Sequence, residues 1–225
     1  MNKTQKTQRK MILSAMFAAL AYASVFALRI DIPPPIPLTF DFKDAIIALG
    51  AIILGPVAGV AMAAAVALLE LATISGTGAF GLIMNFVSSA TFAVVASLIY
   101  KYFKNRKGAI GGLITATLVT TAVMIGMNLV VTPLFMGVPV QAVASFILPL
   151  FLPFNLTKLL LSSALIVLIY KPLVTALRRN KLIEGKVEKY SVDRWGVVIA
   201  VGAVVVIIAC LLVFFLHLNG EVTLI

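Results

Sequence analysis

Charge is scarce in this chain, and that scarcity is the first constraint on what it can be. Only 12% of the 225 residues are Asp, Glu, Lys or Arg, while 62% are hydrophobic. Soluble globular proteins average roughly 25% charged and 45–50% apolar residues. A soluble domain is therefore excluded, and a polytopic membrane protein is expected. Cysteine is limited to Cys210, inside an apolar run, so no intrachain disulfide and no cysteine-pair metal site can form. The single histidine, His217, lies near the end of the last apolar run with no ligand neighbour in sequence, so no metal site is expected. No Gly-x-x-x-x-Gly-Lys-Ser/Thr loop occurs, so any ATP hydrolysis must come from other chains. No His-Glu-x-x-His occurs either, and a Ser-His dyad would have to borrow His217, which argues against an intramembrane enzyme.

What charge there is has a pattern. A net charge of +10 is also what nucleic-acid-binding proteins carry. However, every cation except Arg29, Lys43 and Lys158 falls in residues 1–10, 101–107 or 171–194, short blocks between apolar runs. Cytoplasmic loops of membrane proteins look like this, and no nucleic-acid partner is expected. If all three blocks share one side, an even number of crossings must separate each from the next. Met11–Leu28 and Phe80–Tyr100 are clear runs, so Ala45–Leu69 must cross twice, broken at Gly55-Pro56. The first of those crossings is only about ten residues long and must be tilted, extended by the loop before it, or shielded by neighbours. Two further spans, Ala109–Val131 and Phe154–Tyr170, precede the third block. A last run, Trp195–Leu218, sends the tail outside. The count is seven, with the N-terminus cytoplasmic. Ala21-Tyr22-Ala23 after a basic start could pass for a signal-peptide cleavage site, but apolar character continues beyond it and an uncleaved span is preferred.

With that topology, the polar residues of the spans gather on the outer side. Asp41 and Asp44 lie in a Pro-rich first outer loop, residues 29–44, and Glu70 and Thr73 end the third span. Ser75-Gly76-Thr77-Gly78 forms the next turn, followed by Asn85, Asn128, Asn155 and Lys158. Asn155, Lys158 and Ser162 share one face of a helix that Pro153 can open, because a first-turn residue needs no N–H partner. Lys158 meets the positive end of its own helix dipole and needs an anionic partner, unless it snorkels to the interface. Convergence from several spans points to a pocket open to the outside. Each residue also has a plain reading: Gly76 and Gly78 as a tight turn, Asn128 as a cap, Glu70 at the water interface. The outer side carries three cations against five acids, which disfavours a strongly anionic ligand. Phe40, Phe80, Met84, Met127 and Phe154 suit a flat, largely apolar one. Finally, Ala15, Ala19, Ala23 and Ala27 form a small-residue ridge for close helix contact, within the chain or with a partner.

The ordered set Lys43-Asp44, Ile74-Ser75-Gly76-Thr77-Gly78-Ala79-Phe80-Gly81, Asn85-Phe86, Asn128, Thr132-Pro133, Phe151-Leu152-Pro153-Phe154-Asn155-Leu156-Thr157-Lys158 and Lys171-Pro172-Leu173 resembles the substrate-binding (S) components of energy-coupling-factor (ECF) vitamin importers, in particular the riboflavin-specific ones. The resemblance covers most of residues 11–175. It implies an all-α membrane protein, a six-helix transmembrane bundle that captures riboflavin from outside and docks on a coupling transmembrane subunit driven by two ATP-binding subunits. Riboflavin would be the transported ligand, and no cofactor is implied. Asn128, Asn155 and Lys158 would hydrogen-bond the flavin, with Asn85, Glu70, Gly78 and the first outer loop, Phe40 and Asp41, completing the site. Ala15, Ala19 and Ala23 would face the coupling subunit. The pattern departs after about residue 180: residues 1–178 would form the bundle, 179–194 a basic linker, and 195–225 an added seventh span with a short tail.

Overall fold

In the computed structural model every apolar run becomes helix. The structure describes the chain apart from residues 1, 2, 28, 33–37, 104, 186–193, 218–220, 224 and 225. Helix α1 (Lys3–Ala27) is followed by strands β1 (Arg29–Ile32) and β2 (Leu38–Phe40), then α2 (Lys43–Leu54), α3 (Pro56–Thr73) and α4 (Gly78–Tyr102). Helix α5 (Arg106–Met136) leads through a short α6 (Val140–Ala144) and a π-helical turn (Ile147–Phe151) into α7 (Leu152–Arg179). Helix α8 (Arg194–Leu212), a second π-helical turn (Val213–His217) and β3 (Glu221–Thr223) close the described chain. Among the described residues, six helical segments are long and apolar enough to cross a membrane, and α2 is a shorter additional helix.

The break between α2 and α3 falls at Gly55-Pro56, where Pro56 opens α3 without needing an N–H partner. At 12 residues, α2 extends about 18 Å, well short of a bilayer core of about 30 Å. Shielding is the solution adopted. Helix α2 packs against α1, α3, α4 and α7, and Ala45, Ile47, Ala48, Leu49 and Ala51 are all buried in the main apolar cluster. Close approach needs small residues, because lipid offers no hydrophobic drive for helices to associate. A Cβ at Gly59 of α3 would sit 2.6 Å from the Ala51 Cβ, so only glycine allows α2 and α3 to meet there.

Three boundaries differ from the sequence reading. Helix α5 passes through Pro133 to Met136, and α7 passes through Pro172 to Arg179 instead of ending at Tyr170. A proline forfeits one helical hydrogen bond, but burial of Val174 and Leu177 beyond it holds the last turns of α7 in place. The first outer loop is in part a hairpin: β1 and β2 pair antiparallel, Ile30 opposite Phe40. The tail supplies β3 to the other edge of β1, giving the order β2-β1-β3. Strands of three or four residues leave almost no periodic signature, and the third comes from the far end of the chain.

The alanine ridge of α1 faces outward. Ala15, Ala19, Ala23 and Ala27 are exposed, whereas Leu13, Phe17, Ala18, Ala21 and Val25 are buried. Packing within the chain is therefore not what the ridge serves.

Candidate functional site

Five segments bring polar side chains to one end of the bundle. These are the approach to α2, the last turns of α3, the first turns of α4, the later part of α5 and the start of α7. Asp41, Lys43, Asp44, Glu70, Asn128, Asn155 and Lys158 are all buried there. Buried charge is tolerated when it is paired, and here the pairing is extensive. Lys43 Nζ donates to Glu70 Oε2 at 2.7 Å and lies 3.3 Å from Asp41 Oδ2. Lys158 Nζ sits 3.2 Å from Asp44 Oδ2 and 3.6 Å from Asp41 Oδ2. Asp41 Oδ1 also accepts from the Lys43 backbone N–H at 3.1 Å, and Ser89 Oγ donates to Asp44 Oδ1.

Two ammonium groups thus sit among three carboxylates. Both lysines occupy first or second turns of helices, where the dipole disfavours them, and both are compensated by acids. Lys158 does not snorkel: its side chain is only 8% exposed, and its anionic partners are Asp41 and Asp44. Burial pushes the Asp41 carboxyl up, but Lys158 and Lys43 beside it and the Lys43 backbone N–H outweigh that and leave it below the usual carboxylate value of 3.8.

Beside this cluster lies a cavity of about 340 Å³, near the lower end of small-molecule sites at roughly 300–1,000 Å³. Its polar lining includes Asp41, Lys43, Glu70, Asn85, Asn128, Asn155 and Lys158, with the Ser75-Gly76-Thr77 turn at its edge. Its apolar lining includes Phe80, Met84, Met124, Phe135 and Phe154. Much of the polar capacity is already oriented. Asn85 Nδ2 donates to Glu70 Oε2 at 2.7 Å, Asn128 Nδ2 to the Met124 carbonyl at 2.8 Å, and Asn155 Nδ2 to the Phe151 carbonyl at 2.8 Å. Thr132 Oγ1 donates to Asn128 Oδ1 at 3.0 Å. Glu70 Oε1, by contrast, is buried with no hydrogen-bond partner among the described residues. A buried carboxylate oxygen left unpaired is costly, so it suits a ligand that brings a donor.

Six of the eight residues singled out from the sequence, Asp41, Glu70, Asn85, Asn128, Asn155 and Lys158, line the cavity together. Phe40 does not. Its ring is fully buried against Phe42 and Phe214, at centroid distances of 5.2 and 4.8 Å. Gly78 does not line it either; it opens α4 at φ +58°, a left-handed backbone that glycine adopts without strain. Met124 takes the wall position expected of Met127, almost one turn away. The sequence reading counted Lys43 as a loop charge and missed it as a site residue. Its signal was available: it is a cation between two acids, Asp41 and Asp44, on a side otherwise poor in cations. The side chain of His217 lies outside what the structure describes. No group of His, Cys, Asp and Glu that could hold a metal ion is present among the described residues.

A bundle of apolar helices with a ligand-sized cavity of mixed polar and apolar lining at one end has the architecture of a small-molecule-binding membrane protein. Residues 9–170 match the family described as ECF transporter, substrate-specific component, and the chain belongs to that family. It is 34% identical over 179 residues to the riboflavin transporter RibU of Staphylococcus aureus (strain TCH60), covering 76% of this chain and 93% of that protein. A solved structure, described as the S component of a bacterial ECF transporter, superposes with a TM-score of 0.66 at 33% identity. It covers 77% of this chain and 99% of its own.

Proposed function

We infer that the protein captures riboflavin at the pocket end of the bundle and presents it for uptake, and that the cavity described above is the site. The observation that carries this reading is the lining itself, which combines aromatic and methionine side chains with amides and an unpaired Glu70 oxygen. A flat ring system fits the first and a polyhydroxyl chain fits the second. Ribityl hydroxyls would donate to Glu70 Oε1, while Asn128, Asn155 and Lys158 would meet the heteroatoms of the ring or chain. With all five groups ionised the cluster carries one excess negative charge, which favours a neutral flavin over a phosphorylated one. The similarity to a riboflavin transporter supports the same ligand.

The same reading places the protein in a cell membrane with its three basic blocks in the cytoplasm and the pocket outside. Energy would come from a separate coupling subunit and two ATP-binding subunits, with the exposed Ala15, Ala19 and Ala23 ridge as the contact. Residues 1–178 would be the binding bundle, 179–194 a basic linker and 195–225 an appendage. A stand-alone facilitator is the other transport reading; its flux would continue without ATP or the coupling subunits.

The test is the visible spectrum of the purified protein, followed by a flavin fluorescence titration. Flavin absorption bands in the purified protein, or saturable quenching of added riboflavin, are expected. A colourless protein that leaves riboflavin fluorescence unchanged would remove the ligand assignment.

A further inference from the structure

The family match ends at residue 170, before α8 and β3 begin, yet these segments reach back to the site. Helix α8 lies against α7, and the π-helical turn after it inserts Phe214 between the hairpin and α7. Phe214 is fully buried, with its ring centroid 4.8 Å from that of Phe40 and 6.1 Å from that of Phe154. Phe40 ends β2 and directly precedes Asp41, which accepts the lysines of the charge cluster. Phe154 lines the cavity and directly precedes Asn155. A few residues later, β3 pairs along β1, with Thr223 opposite Arg29, Val222 opposite Ile30 and Glu221 opposite Asp31.

We propose that the C-terminal appendage is a strap that holds the β1–β2 hairpin over the cavity, with Phe214 as a positioning residue acting through Phe40 and Phe154. The proposal rests on the riboflavin reading given above. Leu38 and Thr39 of β2 line the cavity, so a hairpin that lifts opens an exit for the ligand. Two attachments resist lifting: the aromatic contact at one end of β2, and the strand pairing on the free edge of β1. An edge strand with unpaired backbone groups is a natural acceptor for such pairing. No described residue of the appendage lines the cavity, so its effect falls on how long the ligand stays.

The experiment measures riboflavin association and dissociation rates by stopped-flow fluorescence on the full chain. Phe214→Ala is expected to speed dissociation about tenfold, because an aromatic pair contributes up to that factor beyond its area. Association should change by less than about twofold, since diffusional encounter is untouched. Phe214→Leu, which keeps apolar volume but loses the ring contacts, should recover only part of the residence time, and Phe214→Tyr most of it. The strand is tested with Val222→Pro and Thr223→Pro combined. Neighbouring N–H groups in a strand point opposite ways, so one of the two must face β1. About threefold faster dissociation or more is expected for the pair. Unchanged dissociation in both variants overturns the strap, as does lower thermal stability with an unchanged dissociation rate. If Phe214→Ala does not fold, the strand variant decides alone, by the same criterion. Failure of the parent protein to bind riboflavin would instead remove the ligand reading.

Discussion

Two ion pairs at opposite ends of the molecule have almost the same length. Lys43 reaches Glu70 at 2.7 Å at the pocket end, and Lys6 reaches Glu184 at 2.8 Å at the basic end. Their surroundings differ. The side chains of the first pair are 3% and 6% exposed, those of the second 53% and 73%. An exposed pair is screened by water and salt and gives up side-chain freedom to form, so little net stability remains. A buried pair was costly to desolvate, and removing either partner strands the other charge. The basic end therefore carries charges whose individual partners contribute little. At the pocket end each charge depends on specific partners, and those partners shape a ligand cavity.

The contrast can be broken from its strong side first. Lys43→Met leaves Glu70 and Asp41 without their shared cation, and a loss of about 3–5 kcal/mol is expected for a buried pair broken from one side. Thermal unfolding in detergent should show a large drop, and flavin titration should show binding lost with it. A variant that melts and binds like the parent would mean that the cluster is not integral to the site.

The next effect is narrower. Because the folded Asp41 carboxyl titrates below its ordinary value of 3.8, its stabilising contribution is complete above about pH 4 and is lost as pH falls through the depressed value. Affinity should therefore hold between about pH 8 and pH 5 as far as Asp41 is concerned, and decline only in stronger acid. Comparing Asp41→Asn with the parent across that range isolates the group. A parent-specific loss centred above about pH 5 would show that the two lysines do not hold Asp41 ionised.

The smallest effect is expected at the other end. Glu184 is pulled below the ordinary carboxylate range by the hydrogen bond and charge of Lys6, yet both side chains are open to solvent. Lys6→Ala should leave thermal stability and flavin affinity unchanged at low and high salt alike. A drop like that of Lys43→Met would erase the distinction between the two ends.

Much of this was legible in the linear chain. Lys158 announced its need for an anion through its place at a helix start, and Asp41 and Asp44 meet that need. Charge blocks forced a second helix out of Ala45–Leu69, and α2 is that helix. Glu70, Asn85, Asn128 and Asn155 were assigned to one end by topology alone, and all four line the cavity. Other features were not legible. Phe40 looked like a mouth residue because an aromatic beside a polar loop carries no sign of which way its ring turns. Lys43 looked like a loop charge because its partner Glu70 lies on another helix.

The sequence by itself determined that this is a membrane bundle, where its long helices fall, which end is basic and which residues collect at the other. Those properties are local or additive: run length, helical spacing, and the placement of charge between runs. Tertiary structure alone decided which carboxylate each lysine meets, that Phe40 turns toward Phe214, and that the last strand pairs beside the first. Each depends on how far a helix is rotated about its own axis and what lies across the gap, and packing between segments distant in the chain sets both.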